Sequence, residues 1–479
     1  MEITLMTRLR LLAALSAVAL LPLLWTVPGL AVTARPKTPI GHVVVLYLEN
    51  HTFDNMLGYW CDQNPGRCPG GGMPSRVTLS NGSVVTPRTA PDLVPIMGHS
   101  IMNQLAAIDG GKMDGWQKVD GCQASANYAC IVGYQPSQVP NLSALASSFA
   151  ISDRFFSFAD SPSWGGHVNI VTSNLDGFPG TNPVPLKGVT PGAGWGCDSN
   201  KVTPDASGSP VPACVPDPGL TIHRSQLPNG GAFKPTRMPY EPTIMDELDA
   251  ARLPWRIYGG TCTRETTARD GLQTCTTGQG GYQWSICPSI AECLYTQKAD
   301  TTATAQFFTD AAAGHLAAFS VVTPGGTDTD SSCHNSYSIT ACDNFIGQVA
   351  SAVMRSPEWP STALFITWDD CGCFYDHVPP PQNADGTREG PRMPLVIVSP
   401  YARPGYTDTT ATSFAGILAY TEYTFGLAPL GVNDADAYPL TNAFGYGQAP
   451  QQPTKMVTRP LPASARHIHL TPASLNDPT

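Results

Sequence analysis

The chain reads as an α/β protein with a mostly parallel central sheet and long, disulfide-stapled insertions. Three observations carry that reading. "HVVVLYLEN" (42–50), "TALFITWDD" (362–370) and "MPLVIVSP" (393–400) are short apolar, β-branched runs. Strands of that kind belong to a sheet covered on both faces. A helical pattern precedes the second run, so helix, strand, loop and strand follow in the rhythm of a parallel sheet. Between about 180 and 300 the composition shifts to Gly, Pro and Thr with six cysteines, which marks an insertion and not a second domain.

Each element can be justified in chain order. In "MTRLRLLAALSAVALLPLLWTVPGLAVTA", Arg8 and Arg10 precede an apolar stretch that ends among small residues. This predicts a signal peptide over 1–34, cleaved after Ala31 or Ala34, and a secreted protein. A membrane anchor is the alternative, but Leu11 to Trp25 is short for a span, and no second stretch is long enough. The main domain is expected over 35–446, beginning with the 42–50 strand. In "CDNFIGQVASAVMRSPEW", Phe345, Ile346, Val349, Val353 and Met354 fall at helical spacing, with Asp343 as a possible N-cap. The Pro- and Gln-rich tail, 447–479, is expected to be extended or loose.

Composition narrows the class. The chain has 479 residues, 42% of them hydrophobic and 13% charged, with Gly 45 and Pro 46. That describes a loop-rich globular protein with ample core. The net charge is −10 and no basic run is present, so a nucleic acid polymer is excluded as a partner. The fourteen cysteines suit an exported chain. Twelve fall as neighbours: Cys61 with Cys68, Cys122 with Cys130, Cys197 with Cys214, Cys262 with Cys275, Cys287 with Cys293, Cys333 with Cys342. Cys371 and Cys373 remain. A bridge between them would be strained, so one or both could instead reach Cys333 or Cys342.

The strand ends are where chemistry is expected, because ligands bind beyond the carboxyl ends of parallel strands. One run ends in Glu49-Asn50 and another in Asp369-Asp370. Three carboxylates brought together repel one another unless a cation or protons sit among them. Oxygen ligands suit a hard divalent metal, and carboxylates also bind zinc. The alternative is that these groups cap helices or turns. His99, His167, His334 and His377 stand in turn-rich contexts; imidazole suits general acid work and, when protonated, phosphate binding. "FADSPSWGGH" offers Ser161 and Ser163 in a sharp turn. Neither lies in a G-x-S-x-G elbow, and a serine there is ordinarily only a turn residue.

These residues resemble a known family. "LENHTFDNMLG" resembles the opening motif of the bacterial phosphoesterases, a family that includes acid phosphatases and non-haemolytic phospholipases C. "ITWDDCGCFYDHVPPP" and "GPRMPLVIVSPYARPGY" resemble its second and third motifs. The resemblance spans about 40 to 430 and implies an alkaline-phosphatase-like α/β/α sandwich with a metal-dependent phosphoester site. It implies Glu49, Asn50 and Asp369 as ligands of a divalent metal ion and Asp370 as a ligand or a support for one. Ser163 would be the nucleophile, also touching the metal, and His99, His334 and His377 the site histidines. Four places depart from the pattern: His51 for a basic residue, Gly165-Gly166-His167 for Pro-Asn-Arg, Cys371-Gly372-Cys373 for a Gly-Gly, and "TDTTATSFAG" where a histidine is common. The expected substrate is a phosphate ester, either a small molecule or a lipid head group. The serine nucleophile and the lack of an apolar lipid-binding loop favour acid-phosphatase-like monoester hydrolysis over phospholipase C action. An inactive surface-binding scaffold is disfavoured by the intact ligand set, and a sulfatase-like enzyme by the absence of a C/S-x-P-x-R motif.

Overall fold

Strand β1 (His42–Leu48) lies in the middle of an eight-stranded sheet with β2 (Ala150–Ser152), β3 (Trp255–Gly259), β4 (Thr301–Ala303), β5 (Phe319–Val322), β6 (Thr362–Trp368), β7 (Leu395–Val398) and β8 (Thr407–Asp408). The order across the sheet is β4-β3-β5-β1-β6-β7-β2-β8. This computed structural model describes residues 37–465 apart from 159, 189, 217–241, 268–272, 279–281, 297–299, 326–330 and 385. The expected signal peptide and the last part of the tail lie outside the described residues.

β4, β3, β5, β1 and β6 run parallel. Every residue of β6 and β7 is buried, as is every residue of β1 after His42. Both faces are therefore covered, which is why these runs carry no polar alternation. β7 departs from the parallel expectation: it pairs antiparallel with both β6 and β2. Only the loop 369–394 joins β6 to β7. A parallel return needs a crossover, usually a helix, and no helix is described there.

Helices α1 (Ile101–Ile108), α2 (Pro140–Ser148), α3 (Ser163–Asn169), α4 (Thr304–Ala313), α5 (Ile339–Arg355) and α6 (Phe414–Phe425) accompany the sheet. α5 is the helix expected before the second strand, but it starts a turn earlier. Ser338 is its N-cap, its side chain accepting from the Ala341 amide. Asp343 caps a different helix: its carboxylate accepts from the amides of Asn141 and Leu142, at 3.1 and 3.0 Å, at the start of α2.

The six neighbouring cysteine pairs are disulfides, and Cys371 and Cys373 are free and buried. The 180–300 region is not wholly peripheral, since it returns to supply β3. Residues 447–465 contain no helix or strand, yet they are tied down. The Val457 and Arg459 amides donate to the Asn141 and Asn344 side chains at 2.8 and 2.9 Å.

Candidate active site

β1 and β6 are parallel neighbours with Leu48 opposite Trp368, so both polar strand ends emerge side by side. The Asp369 amide donates to Leu48 O at 2.9 Å, and the Asn50 amide donates to Asp369 Oδ1 at 2.8 Å. Asn50 turns the chain in the left-handed region, φ 62°, a conformation that Asn tolerates better than most residues. Glu49, Asn50, Asp369 and Asp370 are all fully buried.

α3 arrives from across this edge and carries Ser163 and His167 one helical turn apart, on one face. Ser163 Oγ donates to Asp370 Oδ2 at 3.0 Å. His167 Nε2 lies 2.7 Å from Glu49 Oε1 and 3.8 Å from Asp369 Oδ2. Gly166 permits the approach: a Cβ there would sit 2.8 Å from Asp369 O. Ser161, the competing hydroxyl, instead reaches the Phe158 carbonyl at 3.4 Å.

The donor atoms of Glu49, His167 and Asp369 all lie within 4.8 Å of one another. Glu49 Oε2 and Asp369 Oδ2 make no hydrogen bond among the described residues. Burial pushes the Glu49 and Asp369 carboxyls well up, and the charge of Asp370 adds to both shifts. Burial raises Asp370 too, although the nearby charge of His99 opposes it. Such a cluster is relieved by protons or by a cation, and two orphaned oxygens beside an imidazole nitrogen are a fitting donor set for a cation. The Asn50 amide is consistent with this. One of its terminal atoms lies 2.6 and 3.0 Å from the two Asp370 oxygens. Turned nitrogen-first it donates to both, and its oxygen accepts from His334 Nε2 at 2.9 Å; turned oxygen-first the contact is repulsive unless a cation is shared.

The histidines divide. His99 and His334 meet edge to face, with ring centroids 6.0 Å apart. His99 Nδ1 is 2.9 Å from Met97 O, and its Nε2 has no hydrogen-bond partner among the described residues. His334 Nδ1 is 2.9 Å from Asn335 O, and the ring stacks on Trp284. His51, in the place of the family's basic residue, is held neutral by burial, its pKa lowered to about 3, and lies 2.9 Å from Cys333 O. His377 is not brought to the site. Its Nδ1 lies 2.6 Å from Asp54 Oδ2 and its Nε2 lies 2.7 Å from Gly70 O. Two acceptors require both nitrogens to carry hydrogen, so His377 is an imidazolium. Burial, which lowers its pKa, is outweighed by Asp54 and Asp376, and the value rises to about 9. Arg392 closes this second cluster, donating to Asp54 at 2.7 Å and to Asp376 at 3.1 Å. The two carboxylates that could otherwise receive a metal with His377 are thereby already compensated.

The sequence matches the Phosphoesterase family over residues 40–428. The chain belongs to that family. It is 24% identical over 402 residues to the non-specific phospholipase C1 of Arabidopsis thaliana, covering 77% of this chain and 62% of that protein. It is 25% identical over 139 residues to the non-hemolytic phospholipase C of Pseudomonas aeruginosa, covering 22% of this chain and 20% of that protein. The chain thus spans less than two thirds of the length of either relative. Among solved structures, a protein in the alkaline phosphatase superfamily from Vibrio parahaemolyticus aligns with 16% identity and a TM-score of 0.30, covering 62% of each chain. Seen against the phosphoesterase motifs, the second cluster is where all three meet: Asp54 from the first, Asp376 and His377 from the second, Arg392 from the third. His167 is the site residue that motif matching missed. The signal was its spacing, four residues after Ser163 on one helix.

Proposed function

We propose that this phosphoesterase is a metal-dependent hydrolase of phosphate monoesters, acting through Ser163 outside the cytoplasm. The observation that carries the reading is the juxtaposition of the Ser163 hydroxyl with the orphaned oxygens of Glu49 and Asp369. Glu49, Asp369 and His167 would hold a divalent metal, with Asn50 and Asp370 beside it. When bound, that metal would polarise a phosphoryl oxygen and favour the ionised Ser163 hydroxyl. Asp370 Oδ2, which accepts the Ser163 hydrogen bond, orients the hydroxyl and is placed to take its proton. Ser163 Oγ then attacks phosphorus in line, giving a phosphoserine that water later hydrolyses. His99 and His334 replace His377 in the expected acid role. With Nδ1 donating to a carbonyl, each keeps Nε2 on the site side, and in its imidazolium form it can give the Nε2 proton to the departing alcohol and remain as neutral imidazole.

The six disulfides support an oxidising compartment. No helix among the described residues is long and apolar enough to cross a membrane. A second reading, phospholipase C action on lipid head groups, is supported by the activities that the relatives' names carry. One experiment separates the two: metal analysis, then side-by-side assay on p-nitrophenyl phosphate and phosphatidylcholine before and after chelation. Chelator-sensitive turnover of the monoester supports the first reading and preference for the lipid supports the second. Turnover of neither by the metal-loaded chain defeats both.

A further inference from the structure

Cys371 and Cys373 are the two cysteines left outside the six disulfides, and both are buried. Their sulphurs are 3.5 Å apart, and the Cys373 amide donates to Cys371 Sγ at 3.0 Å. The turn between them is tight. Gly372 has φ 50° and Cys373 has φ 48°, and left-handed backbone is costly for a residue with a Cβ. A Cβ on Gly372 would approach Asn50 O to 2.5 Å. This turn is joined to the site by one residue. The Gly372 amide donates to Asp370 Oδ1 at 2.7 Å, while the other oxygen of Asp370 accepts from Ser163.

We propose that Cys371 and Cys373 are a redox-active dithiol whose closure to a disulfide displaces Asp370 and so governs the Ser163 site. The co-reactant is a small disulfide such as oxidised glutathione. One protein thiol displaces half of the oxidant as a free thiol and forms a mixed disulfide. The second protein thiol displaces the other half. The protein loses two hydrogens and two electrons, and the oxidant leaves as two thiols. Closure draws the sulphurs from 3.5 Å to about 2.05 Å. Gly372 lies inside the ring that forms, so its amide and the Asp370 carboxylate it holds must move. A bridge between residues two apart is strained, and strained disulfides are the readily reduced ones, so the change is reversible.

The test is to equilibrate the full chain in glutathione buffers of rising oxidised fraction, quench with acid, alkylate after unfolding, and map the labelled peptides by mass spectrometry. The 371–373 peptide should pass from two labelled thiols to none while the other twelve cysteines stay unlabelled. Over the same range kcat on p-nitrophenyl phosphate should fall by about 10²-fold, the scale on which a misplacement of about 1 Å acts, and dithiothreitol should restore it. Cys373→Ser should remain active and lose the response. Two free thiols persisting in the most oxidising buffer overturn the proposal, as does a disulfide that forms with kcat unchanged. The rate measurement rests on the phosphoesterase reading above and the thiol count does not. A chain with no turnover of p-nitrophenyl phosphate in any buffer refutes the monoester reading, and the fate of the 371–373 thiols still decides whether the pair is redox-active.

Discussion

Ser163 is the residue on which the proposed chemistry turns. Ser163→Ala removes the hydroxyl that Asp370 orients and leaves only direct attack by water. We expect kcat to fall by about 10³-fold or more, with Ser161→Ala mild because its hydroxyl faces Phe158 O. Acid quench during turnover should trap phosphate on Ser163; phosphate on another residue would refute the assignment. Glu49→Gln and Asp369→Asn each remove a negative charge, and His167→Ala a nitrogen donor, from a set whose donor atoms lie within 4.8 Å of one another. Each variant should lose bound metal, measured by elemental analysis, while circular dichroism stays native, because the large core does not depend on the site. Retention of stoichiometric metal in all three would exclude this donor set. The meeting of Glu49, Asn50, Asp369 and Asp370 at one sheet edge was legible in the sequence, because polar groups ending apolar runs have a definite place in a parallel sheet. His167 was not, because its role depends on the short helix that sets it one turn from Ser163. His377 was misjudged for a related reason: the motif fixed its neighbours along the chain but not that Asp54 and Gly70 claim both ring nitrogens.

At the scale of elements, the site depends on how closely α3 meets the end of β6. Gly166→Ala would place a Cβ 2.8 Å from Asp369 O, and the partner there is backbone, so the helix must move away. We expect a loss of about 1–3 kcal/mol in stability and about tenfold or more in kcat, read by thermal melting and steady-state kinetics. Unchanged kinetics would show that the close approach does not set the site. The cluster joining the β1 end, the 374–378 segment and Arg392 gives a prediction in pH. The folded pKa of His377 is raised to about 9 from an ordinary value of about 6.5. Its stabilisation is therefore fully present below about 6.5 and lost as pH rises through about 9. Asp376, raised by burial to about 6, titrates mainly between about 5 and 7, so the change expected between about 7.5 and 9.5 belongs to His377. The melting temperature of wild type should exceed that of His377→Gln clearly at pH 6, and the gap should narrow by pH 9.5. A gap that widens with pH would show that His377 is not held as an imidazolium. Two features of this scale were invisible beforehand. β7 runs antiparallel because its loop contains no crossover helix, and Asp343 caps α2 instead of its own helix. Both are decided by partners distant in sequence.

Across the whole molecule, the sheet and the disulfides were the most legible features, since uniformly apolar strands and neighbouring cysteines both follow from local sequence. The return of the 180–300 region to supply β3 was not, because Gly- and Pro-rich surroundings masked a five-residue strand. The disulfides also decide where such a chain can be stable. Their sequence separations run from 6 to 17 residues. In the chain-entropy account a loop of about 15 residues is worth about 3 kcal/mol, and shorter loops somewhat less. Six such bridges together amount to about 12–18 kcal/mol. The net stability of a folded domain is only about 5–15 kcal/mol, so the two quantities are comparable and the bridges are not ornamental. The reduced chain should therefore be marginal or unfolded at 37 °C, whereas opening a single bridge should be survivable. Expression with a functional export signal should give a mature N-terminus near residue 32 to 35 and twelve cysteines resistant to alkylation. Production in a reducing cytoplasm should give a chain that melts far lower or aggregates. Equal melting temperatures for the oxidised and fully reduced proteins would show that the core alone carries the fold, and would remove the strongest physical reason for placing this phosphoesterase in an oxidising compartment.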